Sequence, residues 1–208
     1  MIIKLKKIHD IKQILSLTEG ENILRRYFVM NGFDGALTAL GIILGSFIVT
    51  GVILEPSESI VHTKLLISSG LGASIAMGVS GFWIAYLTER AERIKERKEL
   101  EEVMVANLDN TKFSKANFWT SLIVAGVDGI SPFLFSLLAI FPFFFVFAGL
   151  SMLIAYIISF CVVAVEVIVL GVFLGAISQE NKLLYALKII PAALLVAGLT
   201  YLLEIVWS

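Results

Sequence analysis

Charge is what this chain lacks most. Of its 208 residues only 16% are Asp, Glu, Lys or Arg, against about 25% in soluble domains. The hydrophobic share is 58% and mean hydropathy is +0.93. One water-soluble core of this length cannot enclose so much apolar surface, whereas lipid can solvate it. There is one cysteine, Cys161, so no intrachain disulfide can form. It lies in an apolar run and is expected to be a small buried hydrophobe. The two histidines, His9 and His62, have no Cys or His partner at zinc-ligand spacing. No nucleophile elbow, phosphate loop or HExxH helix occurs, so an enzyme is not expected. Neither a permanently bound cofactor nor a nucleic-acid partner is expected either.

Apolar runs fill most of the rest. Five predicted spans cover about Tyr27–Leu54, Leu65–Leu87, Phe118–Phe141, Phe144–Ile177 and Leu183–Trp207. Each has the roughly 20 apolar residues that cross a hydrocarbon core of about 30 Å. The first is too long for a signal-peptide core and reads as a retained span. Residues 1–26 place Ile8, Ile11, Ile14 and Leu15 at helical spacing among lysines. They read as an amphipathic helix on the membrane or on the protein's own cytoplasmic face. Residues 88–117 are the one sizeable polar segment. Neither Gly nor Pro occurs from Phe82 through Ala125, so span 2 is expected to continue into the cytoplasm as one helix. The expected fold is all-α and integral to the membrane: spans 1–2 in 27–87, the charged helical segment in 88–117, and spans 3–5 in 118–208.

Lys and Arg set the orientation. In a five-span layout fifteen of the sixteen fall on one side and only Lys64 on the other. That asymmetry predicts a cytoplasmic N-terminus and a C-terminus across the membrane.

Acids inside spans carry the chemical information, because an ionised carboxylate in hydrocarbon costs several kcal/mol and marks cavities or ion paths. Asp34, Asp128 and Glu166 are such acids. Helical spacing sets Met30, Asn31 and Thr38 beside Asp34. Thioether, amide, carboxylate and hydroxyl together suit a borderline ion such as Fe²⁺ or Mn²⁺. Asp128 and Glu166 are proton-coupling candidates; a structural reading makes Glu166 a protonated acid bonded to a backbone carbonyl. Gly32-Phe33-Asp34-Gly35 and Gly126-Val127-Asp128-Gly129 repeat the pattern G-x-D-G. Two helix pairs would then be parallel repeats. Gly41/Gly45, Gly70/Ser74/Gly78 and Gly171/Gly175 have spacing for close helix contacts, within the chain or between copies. Beyond span 2, Glu89, Glu92, Glu96, Glu99 and Glu102 share one helical face, a stripe able to collect divalent cations. The alternative is a solvated helix balanced by Arg90, Arg93, Lys95, Arg97 and Lys98.

Several stretches resemble the vacuolar iron transporter family. They are Arg25-Arg26-Tyr27, Asn31 through Thr38, Gly72-Ala73-Ser74-Ile75-Ala76-Met77-Gly78, Gly129-Ile130-Ser131-Pro132, Ala186-Leu187-Lys188 and Ala197 through Tyr201. The resemblance implies a short member of that family. It further implies a homodimer exporting Fe²⁺ or Mn²⁺ from the cytosol by proton antiport. Asp34 and Met77 match the positions that line the family's ion path, and Glu89, Glu92, Glu99 and Glu102 resemble its metal-gathering glutamates. The expected partners are a lipid bilayer, a divalent ion and a second copy. A different reading is a non-transporting membrane scaffold or regulator that binds a partner through residues 88–117.

Overall fold

In a computed structural model, residues 20–50, 56–109 and 111–207 are described, and among them there is no strand. The elements are α1 Gly20–Thr50, α2 Pro56–Met104, α3 Lys112–Ile140, a 3₁₀ segment Phe141–Ala148, α4 Met152–Ile177 and α5 Lys182–Trp207. The five α-helices are each long and apolar enough to cross a membrane. The surface helix expected over residues 1–26 lies outside the described residues except for 20–26, which open α1.

From Phe82 on, the lack of Gly and Pro lets α2 continue without a break beyond its apolar part. Its 49 residues are more than twice the roughly 20 that cross a hydrocarbon core. It stops where Val105 turns to positive φ and the Leu108 N–H donates to Glu101 Oε1 at 2.9 Å. The next helix begins six residues before the predicted Phe118, because Thr111 Oγ1 caps it by accepting from the Ser114 N–H at 3.2 Å.

The fourth predicted span needs correction. Its first residues, from Phe144, belong to a 3₁₀ segment, and α4 starts only at Met152. Pro142 opens that segment, Gly149 closes it at φ 98°, and the Ser151 side chain then accepts from the Ile154 N–H at 3.3 Å. Only glycine takes that left-handed backbone without strain. The even greasiness of the Phe-rich junction hid the break. At the far end, Ser178 and the positive-φ Gln179 close α4. Asn181 Oδ1 then accepts from the Leu183 N–H at 3.0 Å as α5 begins. Cys161 departs from expectation as well: it is exposed on α4 rather than buried.

The chain divides into two compact units, residues 20–28 with 78–130, and residues 29–77 with 131–207. Close backbone approach at glycines marks both. In the first, a Cβ on Gly129 would lie 2.5 Å from the Gly78 carbonyl oxygen and 2.9 Å from Phe82. In the second, a Cβ on Gly35 would lie 2.3 Å from the Pro132 carbonyl oxygen. Gly171 and Gly175 seat the same way against the Cα atoms of Ala186 and Lys182, at 2.6 and 2.7 Å. Ser74 and Ser136 share a buried hydrogen bond of 2.6 Å between α2 and α3. Tyr156, 2% exposed, is a hub of the second unit. Its hydroxyl lies 2.8 Å from Ser46 Oγ, and its ring meets Phe47 and Phe143 edge-on at 5.1 and 5.0 Å. A Cβ on Gly41 or Gly45 would come only into ordinary contact with Val196 or Thr200 of α5, at 3.8 and 3.7 Å.

Gly35→Ala and Gly129→Ala are therefore expected to lower thermal stability in detergent by the equivalent of about 1–3 kcal/mol, the usual cost of overpacking. Gly72→Ala and Gly198→Ala, which would meet nothing within 4 Å, should be neutral or stabilising by up to about 1 kcal/mol from helix propensity. Melting curves of the four variants check the contrast, and equal effects in both pairs would contradict it.

Candidate functional site

Within the second unit, Asp34 stands on α1 in an apolar setting, yet its side chain is exposed. Met30, one turn earlier, is 51% exposed, and Asn31 and Thr38 are half-buried. The four donors predicted to share a helix face therefore form a strip on or near the surface of the single chain. Met77 is half-buried on α2.

Glu166 is the opposite case. It is 6% exposed, and neither carboxyl oxygen has a hydrogen-bond partner. The structure therefore corrects the reading in which Glu166 bonds a backbone carbonyl. Two turns earlier on α4, Ser159 is fully buried and its hydroxyl likewise lacks a partner. The adjoining helix carries two basic residues, Lys182 and Lys188, and Lys188 Nζ sits 4.5 Å from the Tyr185 ring centroid. A buried carboxyl without counter-charge or donor is costly, and nothing in the local fold gains from it.

Within the first unit, Asp128 is 4% exposed and packs over Gly81, where a Cβ would come within 2.8 Å of Oδ2. Asp34 and Asp128 occupy the same place in the two G-x-D-G motifs, and the second glycine of each makes a close helix contact. The aspartates differ, one exposed and one buried, and so do the first glycines: a Cβ on Gly32 would lie 2.8 Å from the Phe135 ring, and one on Gly126 would meet nothing within 4 Å. Further along α2, Glu89 is 4% exposed, accepts a hydrogen bond from Tyr27 and lies 3.9 Å from Arg93. Arg93 also reaches Glu96 at 3.6 Å, and Lys95 reaches Glu99 at 3.8 Å. Glu92 and Glu102 are exposed. Much of the acidic stripe is thus tied to cations on the same helix. Among the described residues, no three His, Cys, Asp or Glu side chains come together to hold a metal.

The sequence reading took the interleaved basic residues only as charges that balance this stripe. Arg90, Arg93 and Arg97 recur at steps of three and four, the same helical signal that singled out the glutamates. They converge with Ser114 and Asn117 of α3. Asn117 had no signal of its own, since an Asn before an apolar run reads as an ordinary helix start.

An uncharacterized protein of Methanocaldococcus jannaschii, MJ0645, is 30% identical over 198 residues, which make up 94% of this chain and 95% of that protein. No protein-family model and no solved structure matches the chain.

If Glu166 is kept for function rather than stability, Glu166→Leu should hold or raise the melting temperature. Removing an unsatisfied buried polar group is worth about 1–3 kcal/mol. A loss of stability in Glu166→Leu, measured by thermal unfolding in detergent, would show that the carboxyl supports the fold instead.

Proposed function

This chain belongs to the family of the uncharacterized Methanocaldococcus jannaschii protein MJ0645, and from its own residues we propose that it transports divalent transition-metal ions, Fe²⁺ or Mn²⁺, as a homodimer. The observation that carries this reading is Asp34, an ionisable side chain in an apolar span that is exposed on the single chain. Lipid is a poor neighbour for it, since an ionised carboxylate there costs several kcal/mol. A second copy laid over the strip of Met30, Asn31, Asp34 and Thr38 would shield it and double the donors around one path. Mixed oxygen and thioether donors favour borderline ions over Mg²⁺. The resemblance to vacuolar iron transporters supports the same residues, with Met77 as the second path-lining donor.

The remaining acids take supporting parts in this reading. The Lys and Arg asymmetry argues that the charged end of α2 is cytoplasmic. There the exposed Glu92, Glu99 and Glu102, with Glu96, would raise the local cation concentration. Glu166 would carry the exchanged proton, because a carboxyl with no counter-charge is suited to hold a proton or yield it to a passing cation. Asp128 would do so less readily, being already engaged by neighbours.

A second reading has its own observation. Glu89, Glu96 and Glu99 are all ion-paired along α2, as in a helix built to be presented rather than to strip metal from water. A scaffold or regulator docking a partner through residues 88–117 would look like this. Metal binding separates the two readings: a scaffold would bind Mn²⁺ or Co²⁺ no tighter than about millimolar in detergent.

Reconstituted in proteoliposomes, the wild type should carry Mn²⁺, and Asp34→Ala should slow it about tenfold or more, the cost of losing one charged ligand. Equal flux in the two would remove Asp34 from the mechanism. Glu166→Gln should leave downhill Mn²⁺ flux but abolish the accompanying pH change, read with an entrapped dye. An unchanged proton signal would remove Glu166 from the coupling.

A further inference from the structure

Where α2 has left the apolar span it meets the first two turns of α3 around a cavity of about 70 Å³. Arg90, Arg93, Ile94 and Arg97 line it from α2, Ser114 and Asn117 from α3. Three arginines, a serine and an asparagine are thus among its lining residues, and no Asp or Glu is. The nearby acids hold the guanidiniums from outside: Glu89 and Glu96 pair with Arg93, and Glu101 and Asp109 pair with Arg97. Arg90 lies over the Phe118 ring at 5.3 Å. The donors are therefore held in place before any ligand arrives, which lowers the cost of binding one.

Asn117 shows that the arrangement is incomplete. It is 2% exposed, and neither its amide nitrogen nor its carbonyl oxygen has a hydrogen-bond partner. Arg97 Nε, 3.8 Å from Glu101, is also buried without a hydrogen-bond acceptor. Leaving such groups unsatisfied is expensive, and native proteins rarely do it. A water needs only about 10–15 Å³ of such space, so the cavity admits something larger. The N-terminal turns of α3 add their positive dipole end.

We infer that this cavity is an oxyanion site for a phosphate group, held by Arg90, Arg93 and Arg97 with Ser114 and Asn117 as neutral donors. Guanidinium forks match the paired oxygens of phosphate. The group comes either from free phosphate or from the headgroup of an anionic lipid. Arg90 and Arg97 lie three and ten residues beyond Leu87, about 5 and 15 Å along the helix. That is the depth of the headgroup layer and the water just outside it. The site uses none of the residues assigned above to metal, and its test is independent of transport.

Two variants are informative. Asn117→Leu exchanges the unsatisfied amide for an apolar side chain of similar size, and Arg90→Gln removes a guanidinium whose other contact is the Phe118 ring. Delipidated protein in detergent is melted in inorganic phosphate and in chloride at equal ionic strength. It is also incubated with phosphatidic acid or phosphatidylcholine and weighed by native mass spectrometry. The wild type should be stabilised by phosphate, or should retain phosphatidic acid over phosphatidylcholine. Each variant should weaken that response about tenfold or more, as expected for a lost charge-assisted bond or its neutral partner. In chloride, Asn117→Leu should melt no lower than the wild type. A phosphate response that competes with phosphatidic acid assigns the site to free oxyanions. Phosphatidic acid retention that phosphate cannot displace assigns it to lipid. The proposal is overturned if neither ligand binds, or if wild type and Arg90→Gln respond alike.

Discussion

Close approach of helix backbones is the constraint on which the rest of this structure depends. In lipid, burying another leucine gains little, since hydrocarbon surrounds it either way. What remains is contact, and contact improves as backbones near one another. Gly35 against the Pro132 carbonyl, Gly129 against the Gly78 carbonyl, and Gly171 against Ala186 are places where a single methyl group would not fit. Each fixes a pair of helices in register. Polar links follow from that register. Ser74 reaches Ser136, and Ser46 reaches Tyr156, because helices already in contact bring short hydroxyls within range. A hydrogen bond of this kind is worth about 0.6 kcal/mol in a membrane protein, too little to position helices by itself.

Against that background the unsatisfied groups stand out. Glu166, Ser159 and Thr63 in one unit, and Asn117 in the other, are buried polar side chains with no hydrogen-bond partners. Leu has nearly the size of Glu166 and of Asn117, so volume alone does not call for a polar group at either position. Glu166 sits where only a proton or a cation would relieve it. Asn117 sits beside three arginines, where an anion would. The chain thus presents two opposite electrostatic demands, and no single ligand meets both.

The fold was largely legible before any coordinates. Apolar runs of the right length, and the absence of Gly and Pro from Phe82 through Ala125, predicted five helices and the long α2 because both depend on composition over many residues. The junction at Phe141–Ala148 was not legible in the same way. Its ends are set by single residues, Pro142, Gly149 and Ser151, inside a stretch whose hydropathy never changes. Cys161 failed for a related reason: inside a membrane, apolar surroundings do not distinguish a buried face from a lipid-facing one.

The candidate sites were legible only as lists of residue types. Periodicity placed Glu89, Glu92, Glu96, Glu99 and Glu102 on one stripe, and it placed Arg90, Arg93 and Arg97 on another with equal regularity. What periodicity cannot report is which stripe finds a partner helix. α3 supplies Ser114 and Asn117 to the arginines, and they enclose a cavity, while Glu92 and Glu102 remain exposed. Enclosure decides the chemistry, because a charge in a confined, partly dry space acts on its ligand far more strongly than the same charge in water. By that criterion the exposed glutamates can attract ions but not hold them. In the proposed reading, lasting binding in the α2 extension belongs to the arginines, and cation selectivity arises in the spans around Asp34.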